Sequence, residues 1–272
     1  MDIKRCIAFV LMILCCSWSC ISQARDITMK GSTTILPIAQ KIADAYMSRS
    51  SDVKISVSGS GSGDGIKALK KGEADIANSS RFLKDSEIEK AVDDKMYPVP
   101  FAIAYDCIVP IVHPSNPVTD LTIQQLKDIY RGRITNWRQV GGPDNRIKVI
   151  SRNKSSGTYD VWENEVMNEK EIIRAALLKA SNGDVVQAVS VNKDAIGYVA
   201  IGYVDNSVKG LTVNGVRASA ETALDGSFPI SRPLYMFTNG WPAGETLNFI
   251  NFVLSPDNGQ KYVKEAGFIP LY

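Results

Sequence analysis

Apolar positions along the chain alternate between two spacings, one typical of strands and one typical of helices. Residues 26–30 and 53–57 form short strand patterns, and between them apolar residues recur every three to four positions over 35–46. A second helix pattern at 66–71 precedes another strand pattern at 74–77. The order strand, polar turn, helix therefore repeats, which predicts an α/β fold.

The second half of the chain continues this alternation. Strand patterns occupy 147–151 and 196–199, and helix patterns are predicted at 121–130, 171–181, 183–191, 245–254 and 257–266.

Two long apolar segments, 97–112 and 229–237, interrupt the alternation. Pro98, Pro100 and Pro110 lie in the first, and proline is excluded from the middle of a sheet, so we predict two strand pieces there. Both segments are expected to cross between two lobes. The predicted boundaries are a first lobe over 25–108, a second lobe over 109–234 and a return to the first lobe over 235–272.

The first 24 residues have the pattern of an export signal. Lys4 and Arg5 precede an apolar run at 7–16 that is too short to span a bilayer comfortably. Ser22 and Ala24 then supply small residues at the two positions that a signal peptidase reads. We expect cleavage near Ala24 and a periplasmic mature protein; the alternative is an uncleaved membrane anchor.

Four of the five cysteines, Cys6, Cys15, Cys16 and Cys20, lie inside this signal. Lipidation of Cys16 or Cys20 is possible but not favoured, because neither follows the expected leucine and small residues. Only Cys107 remains in the mature chain, inside an apolar run, so we expect a core residue, no disulfide framework and no thiolate metal site.

Charge and histidine content exclude further classes of function. The chain has a formal net charge of +2 and no basic run, so nucleic acid is not an expected partner. The single histidine, His113, follows a strand pattern and is expected at the surface. Zinc binding of the usual kind and a histidine-based triad are therefore not expected.

Four turns share a composition of glycine, serine and threonine next to a predicted helix start or strand end. They are 31–34 (GSTT), 60–63 (SGSG), 79–81 (SSR) and 152–158 (RNKSSGT). Helix N-termini attract anions through unpaired N–H groups, glycine allows close approach, and hydroxyls add donors. Each turn alone is more typical of a helix cap, but four together favour an oxyanion site. The Walker spacing of nucleotide-binding loops is absent.

Two arginines lie in these turns. A guanidinium binds two oxygens of a tetrahedral anion at once, so Arg152 is favoured as a ligand. Arg81 is left open between a ligand and an ordinary ion-pair arginine, and Lys154 is expected to face solvent.

Several segments resemble the phosphate-binding subunits of phosphate-specific ABC transporters. They are GSTTILPIAQKIADAY, SGSGSGDGIKAL, ADIANSSR, SRNKSSGTYDVW, AYDCIVPIVHPSNPV, LKDIYRGRITNW, IGYV and SRPLYMF, in matching order over most of the mature chain. The resemblance implies the two-lobed periplasmic-binding-protein fold (type II), with two hinge strands and the ligand in the cleft. It also implies capture of inorganic phosphate and its delivery to the permease subunits of an ABC importer.

The resemblance, with the turns above, gives the candidate phosphate ligands. They are Ser32, Thr33, Thr34, Ser62, Ser80, Arg81, Arg152, Ser156, Gly157 and Thr158.

One position departs from the resemblance. Several family members have an aspartate where this chain has Ser80; that aspartate accepts a hydrogen bond from a protonated phosphate oxygen and repels sulfate, which has no proton. Asp64 is considered as a substitute and Arg81 as an added charge that alters the balance, so selectivity between phosphate and sulfate stays open.

Other functions are weighed against this one. An exported hydrolase or phosphatase would use Ser155 or Ser156 as nucleophile but lacks an evident base, so we expect no enzyme, no cofactor and no metal. The same fold with another tetrahedral oxyanion (sulfate, molybdate) and a stand-alone phosphate scavenger remain alternatives. We expect a monomer.

Overall fold

The computed structural model describes residues 25–272. The predicted export signal, its cleavage near Ala24 and lipidation at Cys16 or Cys20 fall outside these residues. Within the described part, no helix is long and apolar enough to cross a bilayer.

The first part of the described chain alternates strands and helices, as its pattern predicts. It forms β1 (Arg25–Gly31), α1 (Leu36–Met47), β2 (Val53–Gly59), α2 (Ser62–Lys70), β3 (Ile76–Ser79), α3 (Asp85–Asp93) and β4 (Pro98–Val112).

The middle and end of the chain add smaller elements before two closing helices. They are β5 (Asp120–Leu121), α4 (Ile123–Tyr130), β6 (Lys148–Arg152), α5 (Gly157–Glu165), β7 (Leu177–Lys179), α6 (Asn182–Ser190), β8 (Ala195–Ala200), β9 (Lys209–Gly210), β10 (Thr212–Val213), α7 (Ala220–Leu224), β11 (Ser231–Asn239), α8 (Gly244–Leu254) and α9 (Gly259–Glu265).

One sheet runs through the molecule in the order β2-β1-β3-β11-β4-β8-β6-β7. β1 is parallel to both β2 and β3, and β6 is parallel to both β7 and β8. β4 and β11 are antiparallel to each other and stand between these two parallel groups. The α/β class is therefore confirmed, and the turns that follow β1, β3 and β6 face the centre of the molecule.

The two crossing segments form one antiparallel ribbon. β4 pairs with β11 along its first ten residues, Pro98–Cys107, and with β8 over its last five, Ile108–Val112. The prediction of two strand pieces is wrong, because β4 is continuous. Pro100 pairs only with β11 and Pro110 only with β8. A proline has no N–H, and on the unpaired side of the strand that lack breaks no hydrogen bond of the sheet.

Two separate cores lie on either side of this ribbon. One contains Trp137, Trp162 and Tyr198 with other residues between Cys107 and Ile230, together with Ile269. The other contains residues from 27 to 104 and from 234 to 268, together with Ala200. The predicted lobe boundaries at 108/109 and 234/235 stay a prediction; the cores divide close to them, with Cys107 and Ile108 in the second core and Leu234 in the first.

The helix predicted at 171–181 is wrong. Residues 177–179 form β7, an edge strand paired with β6, and Ile173 donates its N–H to the carbonyl of Tyr130. Leu177 and Leu178 are exposed on this edge. Strand pairing outweighs the helix propensity of the alanine, leucine and lysine residues here.

An aromatic cluster beneath β6 supports the second core. Trp162 of α5 is fully buried and stacks on Tyr198 of β8, with ring centroids 4.2 Å apart and planes within 4°. The Tyr198 hydroxyl lies 2.9 Å from the Ser151 hydroxyl and accepts the N–H of Arg152 at 3.4 Å. Packing in this core therefore reaches directly to the end of β6.

Replacing Trp162 by alanine is expected to lower the free energy of unfolding by about 3–5 kcal/mol, because it empties a buried aromatic site. Chemical denaturation followed by circular dichroism measures the loss. Trp162→Phe keeps most of the ring volume and should lose less. A loss below about 1 kcal/mol for the alanine variant would contradict the stacking as a stabilising contact.

Candidate functional site

Four sequence turns meet between the two cores. Thr34 follows β1 and Thr158 opens α5, and their hydroxyl oxygens lie 3.1 Å apart. The N–H of Gly63, in the first turn of α2, donates to the carbonyl of Ser155 at 3.0 Å. Both contacts join segments on opposite sides of the ribbon, so the lobes are closed on each other around these turns.

Glycine is required where the turns touch. A Cβ on Gly157 would collide with the Ser62 hydroxyl and lie 2.8 Å from the Ser80 hydroxyl. Gly61 has φ of +124°, and a Cβ there would lie 2.6 Å from the carbonyl oxygen of Ser155. The close approach of the α2 and α5 starts therefore depends on these two glycines.

Ser62 and Ser80 form a buried hydroxyl pair. The Ser80 N–H donates to the Ser62 hydroxyl at 3.0 Å, and the two hydroxyl oxygens lie 3.3 Å apart. Asp64, considered as a substitute for the family aspartate, has a side chain 40% exposed and 3.9 Å from Lys67. No hydrogen bond joins Asp64 to this pair among the described residues, so the geometry does not support that substitution.

The turn after β1 is held from both sides. Its own Ser32 hydroxyl accepts the Thr34 N–H at 3.1 Å. The Tyr203 hydroxyl donates to the Thr33 carbonyl at 2.6 Å. The Asn182 amide, at the start of α6, donates to the hydroxyls of Thr33 and Thr34 at 3.3 and 3.1 Å. Both threonine hydroxyls are therefore acceptors from the protein. This leaves the Thr33 proton free to donate, while the Thr34 hydroxyl also meets Thr158, where either hydroxyl can donate.

Arg152 ends β6 and is 1% exposed. Its Nη2 donates to the Thr33 hydroxyl at 3.0 Å and to the Ala180 carbonyl at 2.8 Å, and its Nε donates to the Lys179 carbonyl at 3.2 Å. Its Nη1 has no acceptor among residues 25–272. Burial lowers the pKa of Arg152 to about 10, so the group stays charged at neutral pH.

Ser156 begins α5 as its N-cap. The Ser156 hydroxyl accepts the N–H of Tyr159 at 3.2 Å, and Gly157 and Thr158 occupy the first turn. N–H groups of a first helical turn have no carbonyl partner within the helix. The helix start thus adds donors and a partial positive charge beside Arg152.

All three guanidinium nitrogens of Arg81 donate to carboxylates. Its Nη1 and Nη2 donate to Glu87 at 2.7 and 2.8 Å, and its Nε donates to Asp160 of α5 at 2.5 Å. Lys84 donates to the other oxygen of Asp160 at 2.8 Å. Burial alone would raise the pKa of Glu87, but the hydrogen bonds and charge of Arg81 and Lys84 hold it below its usual value. We name these four residues the clasp.

Three buried polar residues at the site were not predicted from the sequence. Asn182 contacts Thr33 and Thr34, and Arg232 of β11 pairs with Asp106 of β4. The sequence does carry a signal for Asp106 and Arg232, because each is the only charged residue in an otherwise apolar crossing segment. Asn182 lies in an ordinary helix-start pattern and gives no such signal.

The reactive side chains lack a catalytic setting among the described residues. Cys107 is a buried core residue, as predicted, and burial raises the pKa of its thiol to about 12. His113 contacts Ser115, two residues away, at 2.8 Å. The Ser155 hydroxyl donates to the Ser60 carbonyl and to the Asn153 side-chain oxygen, both at 3.3 Å. Residues 25–272 hold no cluster of metal-ligating side chains.

Comparison with known proteins gives consistent similarities. A sequence profile described as a PBP superfamily domain matches residues 21–257. The phosphate-binding protein PstS of Staphylococcus aureus (strain USA300) is 37% identical over 253 residues, which are 88% of this chain and 76% of that protein.

Solved structures agree with this similarity. A Clostridium perfringens protein assigned as a phosphate ABC transporter substrate-binding protein, solved with bound phosphate, superimposes with a TM-score of 0.85 at 36% identity. The alignment covers 91% of this chain and all of that one. An ABC-type phosphate transport receptor from Vibrio cholerae gives 0.74 at 36% identity, covering 89% and 99% of the two chains. The chain therefore belongs to the PBP superfamily and, within it, to the family of PstS phosphate-binding proteins.

Proposed function

We propose that this protein captures inorganic phosphate between its two lobes. The observation that carries the proposal is Arg152, a charged guanidinium buried beside the Thr33 hydroxyl with its Nη1 lacking a protein acceptor. A buried charge without a full set of acceptors is costly unless an anion completes it. The proposed ligands are Ser32, Thr33, Thr34, Ser62, Ser80, Arg152, Ser156, Gly157 and Thr158.

The wider role follows from the family. Relatives are named as phosphate-binding proteins and as substrate-binding proteins of phosphate ABC transporters. Delivery to the permease subunits of an importer, a position outside the cytoplasm and a monomeric state are parts of the proposal. Binding without chemistry is supported by the partners of Ser155 and Ser156, a carbonyl, an amide oxygen and a backbone N–H, none of which is a general base.

A second candidate ligand is another tetrahedral oxyanion, such as sulfate or molybdate. The observation in its favour is the Ser62–Ser80 pair, since a hydroxyl can donate to an unprotonated oxygen, whereas a carboxylate would repel it. Phosphate remains the first choice because the relatives carry that name.

Isothermal titration calorimetry of the anion-stripped mature chain with phosphate, sulfate and molybdate tests the proposal. One-to-one binding of phosphate is expected. Binding of sulfate or molybdate alone would keep the fold and change the ligand, and absence of binding to all three would refute the proposal.

Arg152→Ala is expected to weaken phosphate binding by about 1.5–3 kcal/mol, the range for a hydrogen bond to a charged group. Calorimetry with wild type and variant measures the difference. Because the pKa of Arg152 is about 10, the guanidinium is charged at both acidic and neutral pH, and a pH dependence of the loss reflects the charge of phosphate. Arg138→Ala, at a side chain 73% exposed in a surface ion pair with Asp144, is the matched control. Unchanged affinity in Arg152→Ala would remove Arg152 from the site.

The clasp gives Arg81 a different part in the proposal from direct ligand contact. Glu87 occupies Nη1 and Nη2 of Arg81, and Asp160 occupies its Nε from the facing lobe. Asp160 is 4% exposed, so this ion pair is buried when the lobes are closed. We infer that the clasp holds the closed form, while contact of Arg81 with the anion stays a prediction.

Asp160→Asn is expected to speed phosphate release and to weaken binding by about 1.5–3 kcal/mol, because the charged acceptor that joins the lobes is lost. Stopped-flow dissociation and small-angle scattering of the bound protein measure release and closure. Asp144→Asn, which breaks an exposed ion pair, should change neither. A dissociation rate equal to that of the wild type would show that the clasp does not hold the lobes.

A further inference from the structure

A second arginine reaches the same hydroxyls from the ribbon that joins the lobes. Arg232 lies on β11, outside the four turns that form the cleft, and is 5% exposed. Its Nε and Nη2 donate to one oxygen of Asp106 on β4, at 3.0 and 2.8 Å. The other oxygen of Asp106, which is fully buried, accepts the N–H of Ile201 at 3.0 Å. The guanidinium is thus fixed by a neighbouring strand.

The rest of Arg232 is directed to the cleft. Its Nη2 donates to the Thr158 hydroxyl at 3.0 Å and to the Thr34 hydroxyl at 3.4 Å. These are the two hydroxyls that meet across the lobes. Its Nη1 is buried and has no acceptor among the described residues, as is also true of Nη1 of Arg152. The guanidiniums of Arg152 and Arg232 therefore both contact the threonine hydroxyls. Each guanidinium has one nitrogen, Nη1, without an acceptor among the described residues.

The two arginines also act on each other. Burial is the main cause that lowers the pKa of Arg152, and the positive charge of Arg232 lowers it further. Burial lowers the pKa of Arg232 as well, while Asp106 opposes this and keeps the group charged. Two buried like charges repel unless an opposite charge lies between or beside them.

We propose that Arg232 is a second guanidinium ligand of the bound anion, positioned by Asp106, and that it makes the site favour a doubly charged oxyanion over a singly charged one. The proposal rests on the proposed function and adds to it the charge state of the ligand. Two guanidiniums and one carboxylate leave one net positive charge, to which the start of α5 adds a partial charge. The Coulomb attraction of this positive charge for a dianion is about twice that for a monoanion, so a dianion relieves the repulsion between the guanidiniums more fully.

The pH dependence of phosphate affinity separates this role from a structural one. Titration calorimetry at about pH 6 and about pH 8 leaves arginines and ordinary carboxylates in one charge state, whereas phosphate passes from mainly monoanion to mainly dianion. The wild type is expected to bind more tightly at the higher pH. Loss of Arg232 should cost more at the higher pH and reduce this preference, because a charge that favours the dianion is gone.

Arg232→Gln alone removes one positive charge and tests the preference for the dianion. Asp106→Asn/Arg232→Gln removes both charges, leaves no unpaired buried carboxylate and keeps the net charge of the site, so it tests the contact with the anion. It is expected to bind phosphate about 10- to 100-fold more weakly at the higher pH. Arg232→Lys keeps Asp106 paired and serves if the double variant does not fold; loss of the planar fork should weaken binding about 10-fold. Arg138→Gln, at an exposed side chain, is the control and should match the wild type.

Circular dichroism and thermal unfolding establish that each variant is folded. Wild-type affinity and pH preference in a folded Arg232 variant would overturn the inference, while loss of binding in Arg152→Ala would leave the proposed function standing. Failure of the wild type to bind phosphate would refute both. Reduced affinity with a reduced pH preference in Arg232→Gln supports the inference, and an unchanged preference in that variant overturns the part on charge state.

Discussion

A guanidinium buried in a protein needs acceptors for its five N–H donors, and this requirement organises the centre of the molecule. Arg152 is 1% exposed, and the carbonyls of Lys179 and Ala180 serve it from one side. These two carbonyls are in reach because the chain runs as β7 beside β6 and then turns into α6. Because the chain is not helical at Lys179 and Ala180, their carbonyls are not used by a helix and can accept from Arg152.

The same requirement sets the direction of the hydroxyls in the cleft. The Thr33 hydroxyl accepts from Arg152 and from Asn182, and the Thr34 hydroxyl accepts from Asn182 and Arg232. A hydroxyl that already accepts two N–H groups has its proton left to donate. The Thr33 hydroxyl therefore has its proton free for an oxyanion, whereas the proton of the Thr34 hydroxyl can go to the Thr158 hydroxyl 3.1 Å away. In the buried Ser62–Ser80 pair, either hydroxyl can donate the hydrogen bond to the other.

Local motifs were readable from the sequence, whereas long-range contacts were not. The turns at 31–34 and 152–158 carry their own signature of glycine, hydroxyls and a following helix, and the structure brings them together. The pairing of Arg232 with Asp106 spans 126 residues and depends on strand register, which no local pattern encodes. The helix expected at 171–181 fails for a related reason, because pairing with β6 decides the conformation of the edge. Arg81 illustrates the limit within a motif: its turn was recognised, but its carboxylate partners lie 6 and 79 residues away.

The ribbon of β4 and β11 has a mechanical consequence. The two strands are hydrogen-bonded to each other from Pro98 to Cys107 and carry an irregularity in register between Leu234 and Tyr235, close to where one core gives way to the other. A paired ribbon resists shear in its own plane but flexes across its face, and a bulge localises that flexing. We therefore expect relative motion of the lobes to concentrate at this joint. The accuracy of closure would then be set by the backbone joint as much as by the residues in the cleft.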